Sequence, residues 1–379
     1  MDVHNAFLHG DLDEDIYMQL PQGYHIKSEQ IEGEKLVCKL NKSLYGLKQA
    51  SRQWLSNFSN SLAAIGFHQS KSDYSLFTKV NPNGFKALLV YVDDIIVRSN
   101  SQEEVDSLKS YLHNEFKIKD LGPLKYFLGL KVARSSFGIN LCQRKYTLKI
   151  LEDSGLLGTK TISTPIELNH KLSHTTEELF QDPTVYRRLI GRLIYLTITR
   201  PNINYVVSVL RQFMDSPSQS HLHSAYRILN YLKGSIGQGI FLSSKSTLHL
   251  RAYRDSDWAA SPERRRSVTD FCIFIGETLL SWKYKKQATV FRSLDEVEYR
   301  ALASTSCEIK WLLSLLKEFN VDPAQSASLL CDNQAVIHIT KNPIFHERTK
   351  HIELDCNFVR EKVLAGIITP MHVSSLVGR

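Results

Sequence analysis

The chain has few cysteines, no long apolar run and no low-complexity tract. None of its six cysteines belongs to a C-x-x-C pair, so the sequence predicts neither a zinc site nor a disulfide framework. The longest apolar runs, such as 87–92, are far too short to span a bilayer. Residues 1–15 are acidic and lack the apolar core of a signal peptide. We therefore expect an intracellular protein, cytoplasmic or nuclear, that is neither secreted nor bound to a membrane.

A surplus of basic residues is the first positive feature of the sequence. The formal net charge is +8, which favours a polyanionic partner but is also a common solubility device. In residues 165–246, 9 Lys and Arg stand against 5 Asp and Glu, and five tyrosines accompany them. A basic, tyrosine-rich segment is typical of a surface that contacts the phosphates and sugars of nucleic acid.

Hydrophobic periodicity predicts an α+β protein in three parts. The first part combines hairpins at 85–97 and 125–142 with helices at 49–65, 103–116 and 146–154. A polar, proline-bearing linker follows at 159–182, and three helices are then predicted at 186–199, 206–214 and 220–232. From about residue 248 the pattern changes to three strands, a helix, a strand and a helix. We therefore predict three domains, at 1–164, 165–246 and 247–379.

Two adjacent carboxylates, Asp93 and Asp94, lie between the apolar runs 85–92 and 95–97. Two strands that flank a pair of acids predict a hairpin with both carboxylates at its tip. One interpretation is a simple turn, although the favoured two-residue turns use Gly or Asn, and neither is present here. The other interpretation is a site for Mg²⁺, which prefers a few carboxylates together with substrate phosphates. From these residues alone, both interpretations stay open.

Four segments together resemble the reverse transcriptases of copia-type LTR retrotransposons. They are MDVHNAFLHG at 1–10, IYMQLPQGY at 16–24, LNKSLYGLKQASRQW at 40–54 and YVDD at 91–94. They stand in the family's order and at its spacing, and the resemblance extends to about residue 373. It implies a right-hand polymerase palm and thumb that lack most of the fingers. An α/β ribonuclease H-like domain with a mixed five-stranded sheet is implied to follow.

In the polymerase part, the resemblance implies three catalytic residues and metal ligands, Asp2, Asp93 and Asp94. They would hold two Mg²⁺ or Mn²⁺ ions, which in such sites activate a primer hydroxyl and stabilise the leaving pyrophosphate. Phe7 is implied to lie under the incoming sugar and to exclude a 2′ hydroxyl, with core packing as the alternative.

Four further residues are implied to bind the incoming nucleotide, and these are Tyr45, Gly46, Lys48 and Arg52. Gly46 would allow a close approach of the backbone. For Lys48 and Arg52 the alternative is a solvated charge at the start of a helix.

The last third resembles the ribonuclease H of the same elements in AYRDSDWA at 252–259, SLDEVE at 293–298 and LLCDN at 329–333. The resemblance implies Asp255, Glu298 and Asp332 as catalytic residues that hold two Mg²⁺ or Mn²⁺ ions. Water would then attack the RNA strand of a hybrid, which its 2′ hydroxyl identifies. The other acids of these segments are predicted to be surface charges, and these are Asp257, Asp295 and Glu296.

The implied partners are an RNA template, RNA/DNA hybrids and deoxynucleoside triphosphates, and the basic middle segment would hold the duplex. The implied location is a cytoplasmic virus-like particle or the nucleus. The sequence gives no indication of an oligomeric state and no role for the family-like segment 350–355.

The sequence also departs from the family pattern. It begins one residue before Asp2 and ends without a fourth hydrolase carboxylate, while Arg254 replaces a Ser and Asp270 replaces a residue that is usually Gly. Two hypotheses follow: an active RNA-directed DNA polymerase with ribonuclease H, or an inactive remnant or nucleic-acid-binding module. We expect Asp2, at a frayed terminus, to be poorly held and polymerisation to be weak or absent. The three hydrolase carboxylates favour ribonuclease H activity.

Overall fold

The computed structural model of the protein forms two compact units of mixed α+β structure. One comprises Met1–Leu124 with Ser314–Val321, and the other comprises Lys125–Leu313 with Asp322–Arg379. Within the described residues, no helix is long and apolar enough to cross a membrane. The domain boundaries near residues 164 and 246 stay predictions. The structure describes residues 1–24, 36–81, 84–167, 170, 172–173, 179–258, 265–291, 293–334, 337–338 and 353–374.

A six-stranded antiparallel sheet organises the first unit. The strands of this unit are β1 (Asp2–Val3), β2 (Tyr17–Gln19), β3 (Val37–Lys39), β4 (His68–Gln69), β5 (Leu76–Asn81), β6 (Gly84–Tyr91), β7 (Asp94–Ser99) and β8 (Ile118–Lys119). β2 and β3 form a separate ribbon. The large sheet has the order β4-β5-β6-β7-β1-β8, so the two-residue strand β1 lies between β7 and β8.

Two amphipathic helices, α1 (Ala50–Ala64) and α2 (Gln102–Phe116), complete the core of this unit. Both confirm predicted helices, because their apolar residues recur every three or four positions and are buried. The shared core includes Trp54 and Phe58 from α1, Leu112 from α2, and Leu88 and Ile95 from the sheet. Each such side chain contributes about 1.5–3 kcal/mol by leaving water.

The second unit begins with an antiparallel sheet of β9 (Tyr126–Phe127), β10 (Leu130–Ser135), β11 (Gly138–Cys142) and β12 (Ile240–Ser243), in the order β12-β11-β10-β9. The pair β10–β11 confirms the hairpin predicted within 125–142. Four helices share one apolar core, and these are α3 (Arg144–Asp153), α4 (Pro183–Leu196), α5 (Asn204–Leu210) and α6 (Gln219–Lys233). They confirm the predicted helices, except that a 3₁₀ turn at Arg211–Phe213 ends α5 early.

The last sheet consists of β13 (Leu250–Asp257), β14 (Val268–Ile275), β15 (Thr278–Lys286), β16 (Ala327–Cys331) and β17 (Ile368–His372). Its order is β15-β14-β13-β16-β17, with antiparallel pairs on one side of β13 and parallel pairs on the other. The prediction of a mixed five-stranded sheet is therefore confirmed. The helices α7 (Leu294–Glu318) and α8 (Glu353–Leu364) accompany it. Residues 350–352 of the family-like segment lie outside the described residues.

Candidate functional site

Asp2 lies directly opposite Asp94 on the neighbouring strand. β1 pairs antiparallel with β7 in the register Asp2↔Asp94. The pairing continues at the next residue, where Val3 N donates to Asp93 O over 2.8 Å. Val3 itself is buried in the core of the first unit. The expectation that Asp2 would be poorly held is therefore wrong, because backbone pairing and an adjacent buried side chain fix its position.

The two adjacent acids lie at the tip of a tight hairpin, as predicted. Tyr91 and Asp94 form the last pair of β6 and β7, which leaves Val92 and Asp93 as the turn. Val92 has a φ of +55°, an unusual conformation for a β-branched residue. Its carbonyl accepts a hydrogen bond of 2.7 Å from Trp54 Nε1, so a side chain of α1 anchors the turn.

The three carboxylates of this site influence one another. The pKa of Asp94 is raised above its ordinary value by partial burial and then by the charges of Asp93 and Asp2. Within the described part of the chain, none of the three carboxylates accepts a hydrogen bond or forms an ion pair. The N-terminal ammonium of Met1 offsets only part of this repulsion, and oxygen donors that repel one another suit a hard divalent ion. The donor set therefore fits Mg²⁺ or Mn²⁺.

Two aromatic rings border these carboxylates. Phe7 lies in the 3₁₀ turn Ala6–His9 just after β1, and its ring centroid is 4.4 Å from that of Tyr45. Phe7 is half-buried against the core, whereas Tyr45 is 55% exposed. Partial burial and then the charges of Asp93 and Asp2 raise the pKa of Tyr45. The structure thus brings both predicted residues to the carboxylates.

The other predicted nucleotide-binding residues lie on the same segment. Gly46 has a φ of +98°, so glycine is required for the shape of this turn. A Cβ there would meet no atom within 4 Å, which leaves the space beside it open. Lys48 and Arg52 are exposed and make no hydrogen bond or ion pair within the described residues. Their contact with phosphate stays a prediction.

A second carboxylate cluster lies in the last sheet. β13 and β16 run parallel, so Asp255 near the end of β13 and Asp332 just after β16 reach the same edge. Glu298 arrives from the first turns of α7. One ligand oxygen from each of the three lies within 4.8 Å of the others. Among the described residues no other trio of acids, histidines or cysteines is gathered this tightly, and Asp2, Asp93 and Asp94 are not.

The buried member of this cluster has a cationic partner. Arg254 Nη1 donates to Glu298 Oε2, and the two side chains are 0% and 6% exposed. Burial lowers the pKa of Arg254, but Glu298 and the Cys331 thiol raise it above its ordinary value. Sequence reasoning noted Arg254 only as a departure from the family pattern. Every second residue of β13 is buried, and Arg254 occupies one of these buried positions. A charged residue at an inward position of a strand is the signal that could have identified its role.

Asp270 adds a further acid to the same edge. It pairs with Asp255 across β13 and β14 and lines a cleft of 200 Å³ with Asp255 and Asp332. Burial and then the charges of Asp255 and Asp257 raise the pKa of Asp270 to about 6. Asp257, expected to be a plain surface charge, therefore takes part in the electrostatics of this edge. The donor set fits divalent cations, although one of its members is already paired to Arg254.

The remaining acids near this site have local roles. Glu296 N donates to Ser293 Oγ over 3.3 Å, which is one half of a capping box at the start of α7. Asp295 is exposed. Asp355, at the end of the family-like segment, forms an ion pair of 2.8 Å with Arg300 on α7.

A basic cleft of 520 Å³ lies elsewhere in the second unit, between α4, α5 and β15. Its lining includes Arg211, Lys283 and Lys285 together with Tyr284. Trp282 Nε1 donates to the carbonyl of Thr197 over 3.2 Å and so ties β15 to the end of α4. The cleft is thus built from a basic, aromatic strand and the helices of the basic middle segment.

Comparison with known proteins gives matches over most of the chain. Residues 1–168 match the family described as reverse transcriptase (RNA-dependent DNA polymerase). The retrovirus-related Pol polyprotein from transposon RE1 of Arabidopsis thaliana is 41% identical over 375 residues, covering 99% of this chain and 25% of that protein. A transposon Ty5-1 protein of Saccharomyces cerevisiae is 32% identical over 312 residues, covering 82% of this chain and 100% of that protein.

A solved structure, ribonuclease H1 from Halobacterium salinarum, aligns with 34% of this chain and 88% of its own at 14% identity. Its TM-score of 0.24 is too low to support an argument. The sequence matches are strong, and the chain belongs to the family of retrovirus-related Pol polyproteins of copia-type transposons, with a reverse transcriptase domain at residues 1–168. It spans about a quarter of the length of the longer Pol relatives.

Proposed function

We propose that this chain is an RNA-directed DNA polymerase with ribonuclease H activity. In this proposal residues 1–164 form the palm and part of the fingers, 165–246 form the thumb and connection, and 247–379 form a ribonuclease H-like domain. The pairing of β1 with β7 is the observation that carries the proposal, because it delivers Asp2 to the strand that begins with Asp94. A turn that served only to reverse the chain would need no third carboxylate beside it.

The residues around Asp94 have distinct roles in nucleotidyl transfer. A divalent ion held by Asp2, Asp93 and Asp94 would activate the primer hydroxyl and neutralise charge on the leaving pyrophosphate. Phe7 and Tyr45 form the floor beneath the incoming sugar, where a ring excludes a 2′ hydroxyl. Lys48 lies in the turn just before α1 and Arg52 lies in the first turn of that helix; both are exposed and unpaired among the described residues, and bind the triphosphate.

Primer extension by the full chain on an RNA template with Mg²⁺ and deoxynucleotides tests this half of the proposal. Asp93→Asn is expected to reduce synthesis by about 100-fold, the effect of removing one preorganised electrostatic contact. Asp106→Asn is the matched control, because Asp106 is an exposed acid on α2. Absence of template-dependent synthesis, or equal rates in the two variants, would count against a polymerase.

The cluster of Asp255, Glu298 and Asp332 supports the hydrolase half of the proposal. Three carboxylate oxygens within 4.8 Å can hold divalent cations that activate water and stabilise a leaving oxygen. Asp255 and Asp332 are exposed and orient the scissile phosphate, whereas the buried Glu298 fixes the depth of the site. The substrate is the RNA strand of a hybrid, since its 2′ hydroxyl distinguishes it from DNA.

Cleavage of a labelled RNA/DNA hybrid with Mg²⁺ or Mn²⁺ tests this half. Asp332→Asn is expected to abolish cleavage, and Asp322→Asn, an exposed acid ten residues upstream, is expected to leave it unchanged. The alternative function, a nucleic-acid-binding module without catalysis, predicts tight and salt-dependent hybrid binding but no turnover in either protein.

A further inference from the structure

Arg254 places a fixed positive charge inside the hydrolase cluster. Its fully buried guanidinium donates to Glu298 Oε2, and Glu298 is itself buried. A buried carboxylate is costly unless a counter-charge compensates it. Arg254 therefore supplies the counter-charge beside Glu298. The same carboxylate is one of the donors that the cluster could offer to a cation.

The guanidinium is incompletely satisfied by its surroundings. Among the described residues, Arg254 Nε and Nη2 have no hydrogen-bond partner. A buried guanidinium that serves only structure usually meets acceptors with most of its five donors. Arg254 also lines the 200 Å³ cleft that Asp255 and Asp332 line. Arg254 is therefore a buried cation that borders the space that the acids would offer to an ion.

The charge of Arg254 affects how the cluster would bind a divalent ion. Asp255, Glu298 and Asp332 would together present three negative charges, and Arg254 removes one of them. A divalent ion that binds here meets a positive charge already in contact with one of its ligands. The ion must either displace the guanidinium from Glu298 or bind beside it against Coulomb repulsion, which is strong at short range in a partly buried site.

We propose that Arg254 is an internal counter-ion that competes with divalent metal for Glu298 and lowers the metal affinity of this cluster. The inference rests on the proposed hydrolase function and adds a determinant of its metal requirement. The site of this chain would fill only at a higher Mg²⁺ or Mn²⁺ concentration than the three carboxylates alone would need.

Titration of the full chain with Mn²⁺, followed by calorimetry or by the electron paramagnetic resonance signal of free Mn²⁺, measures this directly. Arg254→Gln removes the charge but leaves an amide that can donate to Glu298, and Arg254→Ser removes both. Each neutral variant is expected to bind Mn²⁺ about tenfold more tightly than the unmodified chain, within the range typical of changes around metal ligands.

Two control variants distinguish the effect of removing the positive charge from the effect of removing the arginine side chain. Arg254→Lys keeps the positive charge and is expected to retain weak binding. Arg251→Gln removes an arginine from the same strand whose guanidinium donates to the carbonyl of Gly276, so it is expected to behave like the unmodified chain. If the neutral Arg254 variants bind Mn²⁺ no more tightly than Arg254→Lys, the competition does not exist.

Folding gives a second readout. A neutral variant that leaves Glu298 without a counter-charge is destabilised in chelator, and Mn²⁺ is expected to raise its Tm more than that of the unmodified chain. Variants that fold only with Mn²⁺ would also support the proposal, since the ion then replaces the guanidinium. Variants that stay unfolded in millimolar Mn²⁺ would overturn it.

Asp332→Asn distinguishes failure of this inference from failure of the proposed function. Mn²⁺ binding that requires Asp332 but is equal with and without Arg254 would overturn the inference alone. If neither the unmodified chain nor Arg254→Gln shows binding that depends on Asp332, the hydrolase site itself is wrong. Hybrid cleavage is not needed to decide between these results.

Discussion

Phe7 lies between the core of the first unit and the carboxylate site of that unit. Its ring is half-buried in the core of the first unit and stacks at a tilt on Tyr45, whose hydroxyl lies close enough to Asp93 and Asp2 for their charges to raise its pKa. A side chain held on two sides is rigid, and rigidity is what steric exclusion of a 2′ hydroxyl requires. Packing and selection are therefore compatible roles for one ring.

We expect Phe7→Ala to reduce discrimination against ribonucleotides by about 10–100-fold, as the removal of a shape-based barrier does. The measurement is the ratio of kcat/KM for deoxynucleotide and ribonucleotide incorporation in primer extension. Phe137→Ala is the control, because Phe137 is 67% exposed in the turn between β10 and β11. An unchanged ratio in Phe7→Ala would leave core packing as its sole role.

Asp270 is an acid whose environment favours its neutral form. Burial and then the charges of Asp255 and Asp257 raise its pKa from an ordinary 3.8 to about 6. Because its pKa is higher in the folded state, Asp270 contributes stability that is complete below its unfolded pKa and lost as the pH rises through the folded value. The ionised side chain therefore destabilises the metal-free fold at neutral pH.

In chelator, we expect Asp270→Asn to raise the free energy of unfolding near pH 7 by about 1–3 kcal/mol. The advantage should shrink as the pH falls and vanish below about pH 3, where Asp270 is protonated in both folded and unfolded states. Urea unfolding across this range measures the difference between the two proteins. Asp322→Asn, exposed and outside the cluster, should show no such trend. A constant difference at all pH values would contradict the assigned ionisation.

These residue-level features mark a limit of sequence reasoning. Motifs predicted Asp255, Glu298 and Asp332, which the structure brings together at the ends of β13 and β16 and the start of α7. The pairing of Asp255 with Asp270 depends on strand register, and the contact of Arg254 with Glu298 depends on how α7 packs on the sheet. Strand alternation marks Arg254 as a charge at an inward position, but neither of the two pairings can be read from local periodicity.

At the scale of elements, one part of the sheet around Asp93 and Asp94 could be predicted from the sequence and another could not. The hairpin could be predicted, because eight residues of β6 and six of β7 carry a clear apolar pattern. The two-residue strand β1 could not, since two residues show no period and its pairing to β7 joins segments about 90 positions apart. That pairing is nevertheless what completes the carboxylate site.

The turn between β6 and β7 contains a residue in a strained backbone conformation, which the pairing of the two strands holds in place. Val92 adopts a φ of +55°, which is unfavourable by about 1–2 kcal/mol for a residue with a Cβ. Asparagine tolerates this region better than a β-branched residue does. We therefore expect Val92→Asn to raise the free energy of unfolding by roughly 1 kcal/mol, measured by urea denaturation.

Val80→Asn is the matched control for this change. Val80 is 61% exposed on β5 and is not among the residues with positive φ. There asparagine loses the β preference of valine without any relief of strain, so the stability should fall slightly. If Val92→Asn destabilises the protein as much as Val80→Asn does, the turn is not strained.

At the scale of the whole molecule, the charge and the cleft bear on where the proposed duplex would bind. The net charge of +8 gives a general attraction to nucleic acid, which alone would bind anywhere on the surface. The 520 Å³ cleft of the second unit adds a location, since Arg211, Lys283 and Lys285 line it together. A duplex bound there would contact the helices of the basic middle segment and a strand of the last sheet at once.

We expect the triple change of Arg211, Lys283 and Lys285 to Gln to weaken binding of an RNA/DNA hybrid and to flatten its salt dependence. Each phosphate that no longer meets a positive side chain should reduce the slope of log K against log salt by about 0.7–0.9. Fluorescence anisotropy with a labelled hybrid at several salt concentrations gives both quantities.

The control triple change replaces Lys145, Lys149 and Lys160 with Gln, which removes the same charge from exposed positions on and after α3. General electrostatic attraction predicts equal losses of affinity in the two triple variants. Binding in the cleft predicts that the slope changes only in the first, because counterions are released only where phosphates touch the protein. Equal slopes in both variants would place the duplex elsewhere, and the cleft would then have no part in holding the hybrid.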